Sequence, residues 1–244
     1  MKLSEIDGEL PTLVIFCKRP LLNQGKSRLA TSLGAESALK VANGLLNCAL
    51  EDALAWPGRL VLTISNHADM AWAEQLLDRK LQVLPQIEGN LGERINHIDR
   101  KLRQEGHQSL VFIGTDAPVL DGDHYYQTIR QLQSKHYVFS RAQDGGVCLM
   151  ANAIPWPTLS ALPWSTSRLC DALANCCEQN LCNTASYREA NRAIAYVKPS
   201  YDIDEEISLN QLYQDLEKDS RPARRQLLAT LDALNYIKEN KQYA

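Results

Sequence analysis

The sequence has no marked excess of charge of either sign and no long hydrophobic run. It carries 26 basic and 29 acidic residues among 244, a formal net charge of -3, so no global field draws it to nucleic acid or to an anionic membrane surface. No stretch approaches the roughly 18 consecutive apolar residues that cross a bilayer. Residues 1–11 lack the basic and apolar stretches of a signal peptide or anchor. We therefore expect a cytoplasmic protein without nucleic acid or a membrane span.

Cysteine pairs at zinc-binding spacing are also absent. The seven cysteines are an odd number, and their one cluster, at positions 170, 176, 177 and 182, contains no Cys-x-x-Cys pair. We interpret most of them as small buried side chains in a reducing compartment. The five histidines likewise show no pairing typical of zinc or of a catalytic dyad.

Short apolar strands alternate with helical segments along most of the chain. The predicted strands are 12–17, 60–64, 82–84, 110–113, 137–140, 147–151 and 193–197. The predicted helices are 35–54, 70–77, 91–103, 167–178, 205–216 and 223–237. This alternation predicts an α/β fold with a mostly parallel sheet covered on both faces. We expect one domain over residues 1–218 and a C-terminal helical extension over residues 219–244.

The C-terminal extension presents an apolar stripe. Leu227, Leu228, Leu231, Leu234 and Ile237 fall on one side of its predicted helix. Either the parent domain or the second subunit of a homodimer must cover these side chains, and the sequence leaves both possibilities open.

Ligands of open α/β sheets bind outside the carboxyl ends of the strands, so polar residues that follow strands are candidates for the site. The loop after the first strand contains four cations and one glycine, at Lys18, Arg19, Gly25, Lys26 and Arg28. Such a loop can present backbone N–H groups and cations to a polyphosphate, although its glycine spacing is not that of a Walker A loop. A solvated basic loop is the alternative interpretation.

A second candidate follows the strand 110–113, where the chain reads Gly114, Thr115, Asp116, Ala117 and Pro118. A carboxylate at a strand end suits a hard divalent cation that bridges phosphate oxygens. An aspartate in this position can also simply form a turn or cap a helix.

Several motifs, in this order and at these intervals, resemble a known family. They are Lys18-Arg19-Pro20 with Gly25-Lys26-Ser27-Arg28-Leu29, Gln86 with Gly89, Leu91, Gly92 and Arg94, Gly114-Thr115-Asp116 with Pro118 and Leu120, Asp144-Gly145-Gly146, Pro163-Trp164-Ser165-Thr166, and Asp202-Ile203-Asp204. From about Thr12 to Leu216 the chain resembles the bacterial arsenosugar-biosynthesis-type glycosyltransferases of the nucleotide-diphospho-sugar transferase superfamily.

The resemblance implies a three-layer GT-A fold with a divalent metal, Mg²⁺ or Mn²⁺. It implies that Asp116 holds the metal with Asp204 as second ligand, and that Lys26 and Arg28 meet phosphates. The residues expected to bind substrate are Lys18, Arg19, Gly25, Lys26, Arg28, Gln86, Gly92, Arg94, Thr115, Gly145, Trp164 and Ser165. By motif order, Asp144 is the expected catalytic base if transfer inverts the sugar.

Three functions remain in view at this point. The first is a metal-dependent glycosyltransferase that takes a nucleoside-diphosphate sugar and a small-molecule acceptor. The second is a nucleotidyltransferase that uses a nucleoside triphosphate and releases pyrophosphate. The third is a catalytically silent member of the fold, because the chain departs from the family pattern at Val147, Cys148, Glu205 and Glu206.

Overall fold

A computed structural model describes residues 9–184 and 193–234. The acidic segment 1–8 and the end of the last predicted helix, with Ile237, lie outside the described residues. The strands are β1 (Thr12–Cys17), β2 (Leu60–Ile64), β3 (Gln82–Pro85), β4 (Leu110–Ile113), β5 (Tyr137–Ala142), β6 (Val147–Asn152) and β7 (Ile194–Ser200). The helices are α1 (Ser27–Leu33), α2 (Ala35–Ala55), α3 (Met70–Glu74), α4 (Leu91–Gln104), α5 (Gly122–Leu132), α6 (Leu169–Thr184), α7 (Glu206–Glu217) and α8 (Pro222–Ala233).

The seven strands form one sheet in the order β3-β2-β1-β4-β6-β5-β7. Strand β6 runs antiparallel to β4 and β5, while the other neighbouring strands are parallel. The exception arises because a tight turn joins β5 directly to β6, where the Ala142 N–H donates to the Gly146 carbonyl. The predicted α/β fold with a mostly parallel sheet is confirmed.

Both faces of the sheet are covered, as the continuous apolar strands require. Successive residues of β1 point to opposite faces: Leu13 and Ile15 belong to a core shared with α2 and α5. Val14 belongs to a second core, shared with α4 and α6. The molecule therefore has three layers, helix, sheet and helix.

Helix α8 packs on α2 in a third apolar cluster. Leu227 and Leu231 are fully buried there. The two helices approach closely at Gly44, where an added Cβ atom would lie 2.6 Å from Leu227 Cδ1. Within the described residues, the apolar stripe of the extension is thus covered by the same chain.

A buried arginine ties α8 to the rest of the molecule. The Arg224 guanidinium is fully buried and donates to Asp52 Oδ2 at 2.7 Å and to Glu51 Oε2 at 2.9 Å, both on α2. It also donates to the carbonyl oxygens of Pro118 and Leu120, in the loop after β4. Burial opposes its charge, but the adjacent Asp52 carboxylate raises the pKa of Arg224 above its ordinary value, so the guanidinium stays charged.

Two helices were not predicted from the sequence. Helix α1 has only seven residues and starts after Lys26, whose side chain makes no capping bond to it. Helix α5 begins with a capping box in which His124 stands where Glu or Gln is usual. The start of α1 therefore lacks the usual pattern, whereas α5 has the favoured N-cap residue Asp121 and departs from the pattern only at His124.

Replacing Arg224 by Met should lower the free energy of unfolding by about 3 kcal/mol, because it leaves the buried carboxylate of Asp52 and the partly buried carboxylate of Glu51 short of a partner. Chemical denaturation at pH 7 measures this change. Arg225→Met, an exposed change on the same helix, is the matched control and should cost less than about 0.5 kcal/mol. If the two variants have the same free energy of unfolding, the buried network contributes nothing to stability.

Candidate functional site

A cleft of about 550 Å³ opens over the carboxyl ends of β1 and β4. Chain order along the sheet reverses here, because β1 continues to β2 on one side and lies against β4 on the other. Crevices at such switch points are the usual ligand sites of open α/β sheets. The predicted site residues that line it are Lys18, Arg19, Gly25, Lys26, Arg28, Thr115, Asp116, Asp144, Trp164, Ser165 and Asp204.

Lys26 lies at the centre of this cleft. Its ammonium is 2.6 Å from Asp204 Oδ1 and 3.3 Å from Asp116 Oδ2. The backbone N–H of Ile203 donates to the Asp116 carbonyl at 2.8 Å, which holds the loops after β4 and β7 side by side. One cation from the β1–α1 loop therefore joins carboxylates from two other loops.

The local backbone aims Lys26 at these carboxylates. Lys26 is the N-cap of α1 and has a left-handed conformation with φ of 46°, as does the preceding Gly25 with φ of 75°. A lysine rarely adopts this conformation, which costs on the order of 1 kcal/mol. Burial alone would lower the pKa of Lys26, but the charges of Asp116 and Asp204 outweigh that effect and raise it. The side chain is thus held as a cation.

The other cations of this loop differ in their surroundings. Arg19 pairs with Asp69 at 3.3 Å and lies over the Trp72 ring. Arg28 pairs with Glu205 at 2.8 Å on the exposed rim. Lys18 is exposed and has no ion-pair partner among the described residues. Phosphates entering the cleft would meet Lys18 directly and would compete with carboxylates for Arg19, Arg28 and Lys26.

Four carboxylates line the cleft. Asp202 was not among the predicted site residues, yet it lines the cleft with Asp116, Asp144 and Asp204. Burial and then the negative charges of these three neighbours raise the pKa of Asp202 to about 6. The alternation Asp202-x-Asp204 could have indicated this, because residues two apart in extended chain face the same way.

The carboxylates of Asp116 and Asp204 fit a hard divalent cation. Both contact one ammonium, so a cation between them has two oxygen ligands, the donor type that Mg²⁺ and Mn²⁺ prefer. The described residues contain no cluster of three or more His, Cys, Asp or Glu side chains arranged for a metal. A cation here would complete its coordination with water and phosphate oxygens, as Mg²⁺ commonly does.

The turn between β5 and β6 forms the far rim of the cleft. The Gly146 N–H donates to Asp144 Oδ1 at 2.8 Å, which fixes that carboxylate. Gly145 has φ of 91°, and an added Cβ atom would lie 1.9 Å from the Ser167 carbonyl oxygen. Gly145, which was predicted to bind substrate, does not itself line the cleft. Glycine is required here because only glycine allows this turn to approach the segment before α6.

Trp164 and Ser165 line the cleft beside this rim. The Trp164 indole N–H donates to the Leu159 carbonyl at 3.0 Å. Its hydrogen-bond donor is therefore used within the protein. Ser165 has a left-handed backbone with φ of 61° and is exposed.

Gln86, Gly92 and Arg94 do not line the cleft. Gln86 donates to the Thr63 carbonyl, and Arg94 donates to the Gly89 carbonyl and to Gln86. Gly92 is buried against the Leu159 carbonyl, which an added Cβ atom would reach at 2.2 Å. The structure gives these three residues contacts that shape the β3–α4 segment.

An apolar wall of the cleft was missed by the sequence analysis. It consists of Phe16, Leu91, Ile95, Phe112 and Met150. Each of these residues belongs to an apolar strand or to the apolar face of a helix. The hydrophobic pattern of the sequence therefore predicted only that they lie in the core.

Comparison with known proteins places this geometry among transferase folds. Residues 49–166 match a family described as an uncharacterized protein conserved in bacteria (DUF2064). A candidate nucleotide-diphospho-sugar transferase from Desulfovibrio desulfuricans G20 is 21% identical, with a TM-score of 0.78 over 93% of this chain and 97% of that one. No curated protein sequence matches the chain.

Two further structures are less similar. A nucleotidyl transferase from Methanothermobacter (Mth528) is 13% identical and has a TM-score of 0.50 over 87% of this chain and 100% of that one. Rv0371c of Mycobacterium tuberculosis H37Rv, in a complex with manganese, is 15% identical over 91% of this chain and 100% of that one. Its TM-score of 0.45 is too low to support any inference about a metal in this chain. The chain has the nucleotide-diphospho-sugar transferase fold, and at these identities the fold alone is shared.

Asp202→Asn should stabilise the metal-free protein at pH 8. Because the pKa of Asp202 is raised to about 6 in the folded state, the folded protein binds this proton more tightly than the unfolded chain. The carboxylate therefore costs stability above pH 6, and the cost disappears toward pH 4. We expect a gain of about 1–2 kcal/mol at pH 8 and none at pH 4, measured by denaturation with a chelator present.

Asp78→Asn, at an exposed position between α3 and β3, is the control and should change stability little at either pH. A gain for Asp202→Asn that is equal at both pH values would contradict the electrostatic explanation.

Proposed function

We propose that the chain is a metal-dependent glycosyltransferase that uses a nucleoside-diphosphate sugar, of the arsenosugar-biosynthesis type that its motifs resemble. The observation that supports this most is the convergence of Asp116 and Asp204 on one point beside the basic β1–α1 loop. A divalent cation on the two carboxylates would neutralise their negative charge. A diphosphate bound between that cation and the basic loop would neutralise the positive charge of the loop. The described helices are all too short or too polar to cross a membrane.

In this proposal the side chains act mainly by holding the leaving group. A bound divalent cation would supply Lewis-acid stabilisation of the charge that develops on the departing diphosphate. Lys18, Lys26 and Arg28 line the same cleft and would bind the phosphate oxygens as fixed cations. Gly25, with φ of 75°, lets the loop backbone approach the phosphates.

The acceptor would enter from the rim formed by Asp144, Trp164 and Ser165. Asp144 is held by the Gly146 N–H and can accept a proton from an acceptor hydroxyl in an inverting transfer. Cys148 lies in the same wall, and burial raises the pKa of its thiol, so it stays neutral there. This thiol occupies a position where the family that the sequence resembles has an aromatic residue, which changes the shape of the acceptor side.

A nucleotidyltransferase is the second candidate, and the basic loop favours it. Lys18, Lys26 and Arg28 suit a triphosphate as well as a diphosphate. The products separate the two reactions: a glycosyltransferase releases a nucleoside diphosphate from a nucleotide sugar, and a nucleotidyltransferase releases pyrophosphate from a nucleoside triphosphate.

Nucleotide binding should raise the melting temperature only when a divalent cation is present. We expect about 5 °C or more for one of a panel of nucleoside diphosphates, triphosphates and nucleotide sugars with Mg²⁺ or Mn²⁺. Asp116→Asn should abolish the rise because it removes a metal ligand, and Asp78→Asn should keep it. No rise with any nucleotide at millimolar concentration would contradict the proposal and favour a catalytically silent fold.

Asp144→Asn should slow transfer by about 100-fold or more while nucleotide-dependent stabilisation persists. Asparagine retains an oxygen that can accept the Gly146 N–H, so the turn should be preserved and only the base lost. Release of nucleoside diphosphate from the stabilising donor measures transfer. Unchanged turnover would rule out this role of Asp144.

A further inference from the structure

The ammonium of Lys26 lies where the proposed divalent cation would compete with it. It contacts Asp204 Oδ1 at 2.6 Å and Asp116 Oδ2 at 3.3 Å, so both proposed metal ligands are bonded to a lysine. Only 17% of the Lys26 side chain is exposed, compared with 37% for Asp116 and 51% for Asp204. The carboxylates thus remain open to solvent on the side away from the lysine.

Electrostatics explains why a cation is needed at this position. Asp144 and Asp202 add to the negative charge around the pair. Like charges that line one cleft repel one another unless a cation lies among them. Lys26 provides that cation in the ligand-free protein, and a divalent ion would provide twice the charge.

A diphosphate offers Lys26 an alternative partner. Lys26 belongs to the loop that lines the phosphate side of the cleft with Lys18 and Arg28. Its side chain has four rotatable bonds, so the ammonium can leave the carboxylates without a change in the backbone.

We propose that Lys26 is an exchange residue that couples metal binding to nucleotide binding. This inference rests on the proposed function and adds a mechanism of regulation to the same site. Without nucleotide, Lys26 neutralises Asp116 and Asp204 and opposes the divalent cation. When a diphosphate binds, Lys26 transfers to the phosphate oxygens, and the carboxylates become free for the cation. Each ligand therefore strengthens the binding of the other, by the same factor.

The coupling limits metal binding in the absence of substrate. Without Lys26, the carboxylates of Asp116 and Asp204 would be free to bind a divalent cation in the absence of nucleotide. With Lys26 in place, the metal and the nucleotide assemble together.

The test is the affinity for Mn²⁺ of the full chain, measured from the free-Mn²⁺ electron paramagnetic resonance signal. Mn²⁺ alone is titrated first, then Mn²⁺ with saturating UDP or GDP, with a protein-free blank for the metal–nucleotide complex. We expect nucleotide to tighten Mn²⁺ binding to the wild-type protein by about 5–150-fold, a typical range for coupled sites. Lys26→Gln should bind Mn²⁺ alone about 5-fold or more tightly than wild type and should lose most of the coupling.

Arg28→Gln is the matched control, because it removes one positive charge two residues from Lys26, in the first turn of α1, but the partner of Arg28 is Glu205. It should leave the affinity for Mn²⁺ alone within about 2-fold of wild type. Lys26→Met is a second neutral variant, and thermal melts establish that each variant is folded.

Equal or weaker binding of Mn²⁺ alone by both Lys26 variants would overturn the exchange. Tighter binding by both, with Arg28→Gln unchanged, supports the competition even if no nucleotide binds to any of the proteins. In that last case the proposed function fails and the competition between Lys26 and the metal stands, so the two failures are distinguishable.

Discussion

A single ammonium among carboxylates organises the site of this protein. Lys26 joins the loops that follow β1, β4 and β7 through Asp116 and Asp204, and the backbone bond from Ile203 to Asp116 fixes two of those loops together. The parallel sheet makes this possible because the carboxyl ends of its strands lie at one edge. Charge balance at that edge then determines what can bind. Any ligand must supply a cation for the carboxylates, anions for the basic loop, or both.

The C-terminal helix is hydrogen-bonded to the loop that carries Asp116. Arg224 of α8 and Arg221, the N-cap residue of that helix, donate to carbonyl oxygens in the loop that follows Asp116, at Pro118 and Leu120. The same guanidinium groups pair with Asp52 on α2, which also accepts from the Tyr125 hydroxyl. Buried ion pairs of this kind contribute little net stability but are costly to break. The extension is thus connected to the candidate site as well as to the core.

Much of the fold was predictable because its signals are local. Apolar runs bounded by turn residues predicted the seven strands, and helical periodicity predicted α2 and α4 nearly to their ends. Helix α1 lacks a usual N-cap residue and was missed, and α5 was missed although Asp121 is a favoured N-cap residue. The Asp116 and Lys26 loops were predicted as site candidates because they follow strands. The contact between Lys26 and Asp204 spans 178 residues, and only the folded chain reveals it. The apolar wall was missed because its residues are typical of buried strands and helix faces, whereas Asp202 could have been inferred from its spacing of two from Asp204.

The most direct test of the nucleotide and metal site is a crystal structure grown with Mn²⁺ and the nucleotide that stabilises the protein most. Data collected at the manganese absorption edge distinguish the ion from water and lighter cations by its anomalous signal. The account predicts an anomalous peak at bonding distance from the Asp116 and Asp204 carboxylates, with the Lys26 ammonium moved onto a phosphate oxygen. Nucleotide bound with Lys26 still between the two carboxylates, or manganese held by other residues, would contradict it.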